Sequence, residues 1–143
     1  MERIHQKIGK IKEYIALLRS IKDECRSRFT TDPIYRGALL HYLYLLADTC
    51  ISLAEMLIKH KKLRIPQSYQ ETFDILGESG ILEPEFAFAF AKIAGFRNFL
   101  AHDYEDVVAE AICGDALSKL DEVELFLKQV EKSLPLWKSG NQD

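Results

Sequence analysis

Phe86-Ala87-Phe88-Ala89-Phe90-Ala91 decides between two folds. Alternation with a period of two marks a half-buried strand, and aromatic side chains favour strands. The flanks argue the other way. Pro84 stands where a first helical residue would, its missing N–H harmless there. Downstream the apolar pattern runs past Arg97 without a cluster of turn residues. Read as helix, the segment puts Phe86 and Phe90 on one side and Phe88 nearly opposite. Both sides are then expected to be covered by neighbours. Ala87, Ala91, Ala94 and Gly95 are small enough to admit another backbone closely.

The segments on either side are helical too. Ile4, Ile8, Ile11, Ile15, Leu18, Ile21 and Cys25 recur at steps of three and four, one stripe of a helix over residues 2–28. Lys7, Lys10, Lys12, Arg19, Lys22 and Arg26 lie mostly off it, as a solvated face or as a surface for RNA. Thr31-Asp32-Pro33 restarts the chain, with Asp32 as N-cap and Pro33 as first helical residue. The second helix is expected to reach about Arg64, since Pro66 disfavours helix at Ile65. Its middle, Ala38-Leu39-Leu40-His41-Tyr42-Leu43-Tyr44-Leu45-Leu46-Ala47, is apolar almost all round, which places it centrally in a bundle or against a second subunit. Ser68-Tyr69-Gln70-Glu71 fits a capping box before a short helix that ends at Gly77 and Gly80. The last helix spans roughly 107–137, with Ile112, Ala116, Leu120, Val123, Leu127, Val130, Leu134 and Trp137 as its stripe. Gly114 loosens its start and Pro135 ends or kinks it.

The fold expected is all-α: an antiparallel bundle of four long helices and one short helix, a single domain over 1–137 with a flexible tail over 138–143. At 143 residues the chain is one domain by length, and 48% apolar residues suffice for a real core. No charged leader with an apolar core is apparent, and the apolar run over 37–58 holds His41, Asp48 and Glu55, so neither a signal peptide nor a membrane span is expected. Cys25, Cys50 and Cys113 are odd in number and far apart. They suggest neither a disulfide framework nor a zinc site, and fit a reduced cytoplasm. The net charge of −3 argues against coating nucleic acid by bulk charge, so any RNA contact must be local.

Chemistry concentrates in Arg97-Asn98-Phe99-Leu100-Ala101-His102-Asp103-Tyr104. There is no phosphate-cradling Gly loop, no nucleophile elbow and no histidine spacing of a metal site. Asn98 and His102 are four apart and stack on one helix face. Arg97 and His102 are five apart, about 140° round the axis, and do not converge on an ideal helix. A long Arg side chain, unwinding near His102, or a second copy across a dyad could join them. Asp103 can cap the following helix. Imidazole can pass a proton near neutral pH, and guanidinium grips phosphate oxygens. Together they suit cleavage of RNA without a metal or other cofactor; equally, such a set can simply cap a helix. Asp48, inside an apolar helix, reads as a hydrogen-bonded structural carboxylate or as part of an active cleft. Lys59-His60-Lys61-Lys62-Leu63-Arg64 reads as cations at a helix C-terminus or as a phosphate patch.

These residues carry a resemblance. Arg97-Asn98-x-x-x-His102 matches the motif of HEPN-domain ribonucleases, and His102-x-Tyr104 is similar to the HepT toxin family. The blocks Pro66 to Leu76, Gly80-Ile81-Leu82 and Ala94 to His102 follow HepT-like sequences in order, so the likeness covers roughly residues 1–135. It implies a helical homodimer whose paired Arg97 and His102 line one cleft, with Asn98 in support, and an endoribonuclease that leaves 2′,3′-cyclic phosphate and 5′-OH ends. It also implies a toxin whose partner, an MntA-type nucleotidyltransferase antitoxin, silences it by transferring AMP from ATP to Tyr104. Relatives with related folds imply an alternative: a non-catalytic nucleotide- or partner-binding subunit of a nucleotidyltransferase.

Overall fold

A computed structural model describes residues 1–102 and 106–135. Its helices, in chain order, are α1 (Glu2–Ile21), α2 (Cys25–Arg28), α3 (Pro33–His60), α4 (Tyr69–Glu78), α5 (Pro84–Phe90), α6 (Ile93–His102) and α7 (Leu120–Lys132). A 3-10 turn over Lys22–Glu24 separates α1 from α2, and a π-helical stretch, Ala111–Ala116, precedes α7. Among the described residues there is no strand, and the Phe/Ala repeat is helical as its flanks require.

The bundle is built round α3. Asp32 caps it, accepting the backbone N–H groups of Ile34 and Tyr35 at 3.1 and 3.0 Å. Arg28, 2.6 Å away, holds the Asp32 carboxyl below the usual carboxylate range, helped by those N–H groups. Along α3, Leu39, Cys50, Leu53, Ala54 and Leu57 are fully buried. The helix packs on α1, α4 and α6, which explains a sequence apolar on several sides. It is long and apolar enough to cross a membrane by composition, but 56% of that apolar stretch is buried inside the bundle. It stops at His60, earlier than Pro66 alone implies, because Lys62 takes a left-handed conformation at φ 55°.

On α1, Ile4, Ile8, Ile11, Ile15 and Leu18 are buried as the stripe requires. Cys25 and Phe29 continue it into the core, but across the 3-10 corner instead of along one straight helix. Several off-stripe cations tie elements together. Arg19 donates to Glu124 at 2.7 and 2.8 Å and to Asp121 at 2.6 Å, and Lys12 meets Glu131 at 3.3 Å, joining α1 to the last helix.

The capping box of α4 forms, with a shift. Ser68 accepts from the Glu71 N–H at 3.1 Å, while Glu71 reaches back to the N–H of Gln67, one residue beyond the cap. Gly77 lets α4 and α5 touch: a Cβ added there would lie 3.0 Å from the Ala87 Cβ and 3.4 Å from the Pro84 Cα. Phe90 stacks on Phe126 (4.7 Å between ring centroids) and on Phe86 (5.2 Å), with Phe73 edge-on.

Three expectations need revision. The fourth long helix is interrupted: the turn at Ala91–Lys92 splits it into α5 and α6. Phe88 is 71% exposed, so the described residues leave the far side of α5 uncovered. The last helix starts late, since the segment holding Gly114 winds as a π-helix and α7 begins only at Leu120. Trp137 and the tail over 138–143 lie outside the described residues.

The cysteines are the clearest correction. Cys25 and Cys113 form a disulfide, with their Cα atoms 5.6 Å apart across a sequence separation of 88. Local spacing could not reveal it, because the pairing depends on packing α2 against the π-helical stretch. Cys50 is the free cysteine and is fully buried, which pushes its thiol pKa up and leaves it inert.

Denatured, unreduced protein is expected to show one titratable thiol per chain, Cys50, and three after reduction; three before reduction would mean that the bridge does not form. Gly77→Ala gains about 1 kcal/mol of helix propensity against about 1–3 kcal/mol for volume forced into a packed contact, so a net loss of under about 2 kcal/mol is expected in urea unfolding; a clear gain would show that α5 yields to the added methyl.

Candidate active site

Arg97 lies in the middle of α6, where that helix crosses α3. Its Nε donates to Asp48 Oδ1 at 3.1 Å. One terminal nitrogen donates to the Tyr44 hydroxyl at 3.0 Å, and the other to Asn98 Oδ1 at 3.3 Å. The guanidinium carbon also sits 5.2 Å from the Tyr44 ring centre and 5.9 Å from that of Tyr69, the first residue of α4. Three helices therefore converge on one cation. Asp48 raises the Arg97 pKa above its ordinary value, chiefly through the hydrogen bond, with Tyr44 and Tyr69 adding to it.

The Arg97 side chain is 21% exposed and that of Asp48 is 45% exposed. An ion pair this wet contributes only about 0–1 kcal/mol to stability. What it does contribute is direction. With Nε on Asp48 and one N–H of each terminal nitrogen on Tyr44 or Asn98, the guanidinium keeps a second N–H on each terminal nitrogen without an acceptor among the described residues, the donors with which such a fork binds a phosphate or carboxylate. Asp48 is thus hydrogen-bonded and part-exposed, as either reading of its sequence position requires.

The structure brings Arg97 and Asn98 together and leaves His102 apart. His102 is the last residue of α6, exposed, and among the described residues no hydrogen bond or ion pair joins it to Arg97. The angular separation on one helix persists, as spacing required. Tyr104 and Asp103 lie outside the described residues. The basic segment after α3 is partly committed elsewhere: Lys61 donates to the Ser133 carbonyl at 3.1 Å, and Arg64 pairs with Glu78 at 2.8 Å and Glu71 at 3.3 Å. Among the described residues no group of three or more His, Cys, Asp or Glu side chains could hold a metal ion.

Two residues at the site escaped sequence reasoning. Tyr44 was absorbed into an apolar helix and Tyr69 into a capping box. A signal existed for Tyr44: it is four residues before Asp48, hence on the same face of α3. Tyr69 had none, because only tertiary packing carries α4 to Arg97.

The family model for Ribonuclease HepT-like proteins matches residues 11–130, most of the chain. The chain belongs to the HepT-like ribonuclease family. Among curated relatives of this HepT-like chain is an mRNA nuclease HepT of Shewanella oneidensis, 23% identical over 128 residues that cover 90% of this chain and 96% of the relative. Another is a tRNA nuclease HepT of Aphanizomenon flos-aquae, 30% identical over 94 residues that cover 64% and 63%. Among solved structures, the tri-AMPylated HEPN toxin of Shewanella oneidensis in complex with MNT antitoxin superposes with a TM-score of 0.81. It is 23% identical, and the match covers 91% of this chain and 97% of that one. The fold is thus that of HEPN proteins.

Asp48→Ala is expected to shift unfolding by less than about 1 kcal/mol while freeing the Arg97 side chain. In NMR the Arg97 Nε–H signal should broaden through faster exchange with water; an unchanged signal would show that Asp48 does not hold it.

Proposed function

We propose that this protein is the toxin of a toxin–antitoxin pair, acting in the cytoplasm as a metal-independent endoribonuclease. The observation that carries the reading is the Arg97 fork: a permanent cation held by Asp48 and Tyr44 at a partly exposed position, on the helix that ends in the exposed His102. Family membership supports it, as do relatives named as mRNA and tRNA nucleases.

In this reading Arg97 neutralises charge on the phosphate as the ribose 2′-oxygen attacks it. His102 takes the 2′-OH proton or delivers one to the leaving 5′-oxygen. The products are a 2′,3′-cyclic phosphate and a 5′-OH, and DNA, lacking the 2′-OH, resists. Asn98 steadies the fork from the next residue. Because Arg97 and His102 diverge round α6, the reaction uses two copies: in a homodimer with adjoining α6 helices, His102 of one protomer serves the phosphate held by Arg97 of the other. The exposed Phe88 is consistent with a surface covered by association.

Control falls to Tyr104, two residues beyond His102. An MntA-type nucleotidyltransferase antitoxin would transfer AMP there, adding bulk and negative charge where RNA phosphate must enter. The AMPylated Shewanella toxin bound to its MNT antitoxin supports this partner chemistry.

His102→Ala is expected to abolish cleavage of RNA and growth inhibition with an unchanged far-UV helical signal. Arg97→Lys should recover little activity, because a point charge lacks the fork. Wild-type activity should survive EDTA; loss with chelator would overturn the metal-independent mechanism. After co-expression with the antitoxin, mass spectrometry should place AMP on Tyr104, and modification confined to other residues would refute that role.

A further inference from the structure

Tyr69 is a large ring left 39% exposed on a firmly fixed base. It is the first residue of α4, directly after the Ser68 cap, and the Glu71 carboxylate ties the preceding Gln67 N–H at 2.9 Å. Two residues of the next turns, Phe73 and Leu76, are fully buried and anchor the helix. The backbone that carries the ring is thus anchored, and the ring itself stays part-exposed.

Its neighbour is the Arg97 guanidinium, 5.9 Å from the ring centre, with the half-buried Tyr44 ring at 5.2 Å. The two rings differ in duty. Tyr44 supplies a hydroxyl that accepts from Arg97. Tyr69 makes no hydrogen bond to Arg97, whose guanidinium lies over its ring, and the residue stays part-exposed. Arg97 spends donors on Asp48, Tyr44 and Asn98, and among the described residues one N–H on each terminal nitrogen meets no protein acceptor. A guanidinium with spare donors beside a part-exposed aromatic ring matches what one unpaired nucleotide presents, an anionic phosphate and a flat base. A base inside a duplex has both faces covered by its stack and cannot use such a ring.

We propose that Tyr69 is a stacking residue that seats one unpaired nucleobase of RNA next to the phosphate gripped by Arg97. The proposal rests on the ribonuclease reading above and adds a substrate class: single-stranded RNA, or an unpaired loop within a folded RNA. Because every base has a π face, selection is for strandedness and tolerant of base identity.

The test separates this from the ribonuclease reading by measuring binding and cleavage independently. Binding uses fluorescence anisotropy of a short 2′-O-methyl RNA, which cannot be cleaved by 2′-OH attack, as single strand and as duplex. Cleavage uses the same sequence as unmodified RNA. Wild type and Tyr69→Phe should bind the single strand alike and the duplex more weakly. Tyr69→Leu, which keeps apolar bulk without a π face, and Tyr69→Ala should bind the single strand about tenfold more weakly or worse. In cleavage the same variants should raise KM with little change in kcat, and their far-UV helical signal should match wild type. Wild-type binding by Tyr69→Leu, or equal affinity of the wild type for strand and duplex, would overturn the proposal. If no variant or wild type cleaves, the ribonuclease reading fails, and the binding arm still decides whether Tyr69 stacks on unpaired bases.

Discussion

A helix that is apolar on several sides has to be surrounded, because each exposed apolar face would cost free energy in water. α3 carries this constraint for the whole molecule. Its buried residues run from Tyr35 to Ile58, and no single partner helix can cover them. α1 takes one side, α4 another and α6 a third. The short connections and the corner at Lys22–Glu24 follow from bringing those partners round a common axis.

The same constraint locates the chemistry. Once α1, α4 and α6 have covered the apolar faces, the strip of α3 bearing Tyr44 and Asp48 is left at the seam between α4 and α6. An arginine arriving on α6 finds a carboxylate and a hydroxyl there, and a second aromatic ring at the start of α4. The ion pair itself adds little stability at this exposure. Its importance is geometric, in that it ties the Nε of the guanidinium to α3. Stability and orientation are thus supplied by different groups, the first by the core leucines and isoleucines, the second by Asp48 and Tyr44.

How far the sequence could be read depended on the range of the cause. Stripes at Ile4 to Leu18 and Val123 to Val130 follow from a local period, and so do the caps at Asp32 and Ser68; these were legible. The break at Ala91–Lys92 carries no Pro or Gly, and it arises from packing Phe90 against Phe126 while α6 turns toward α3. The pairing of Cys25 with Cys113 and the approach of Tyr69 to Arg97 join residues far apart in the chain, so no spacing rule could reach them. Asp48 stood in between. Its oddity in an apolar helix was visible, but its partner was not. His102 ends α6 as an exposed residue, five positions from Arg97, and among the described residues no hydrogen bond or ion pair joins the two.

The bridge between Cys25 and Cys113 has a topological side. It closes a covalent ring that contains α3, α4, α5 and α6, and with them Tyr44, Asp48, Tyr69, Arg97, Asn98 and His102. While the bond is intact, a single cut in any loop within that ring leaves the two pieces still joined. The surface around Arg97 would then hold together as one molecule through damage that would split a reduced chain in two.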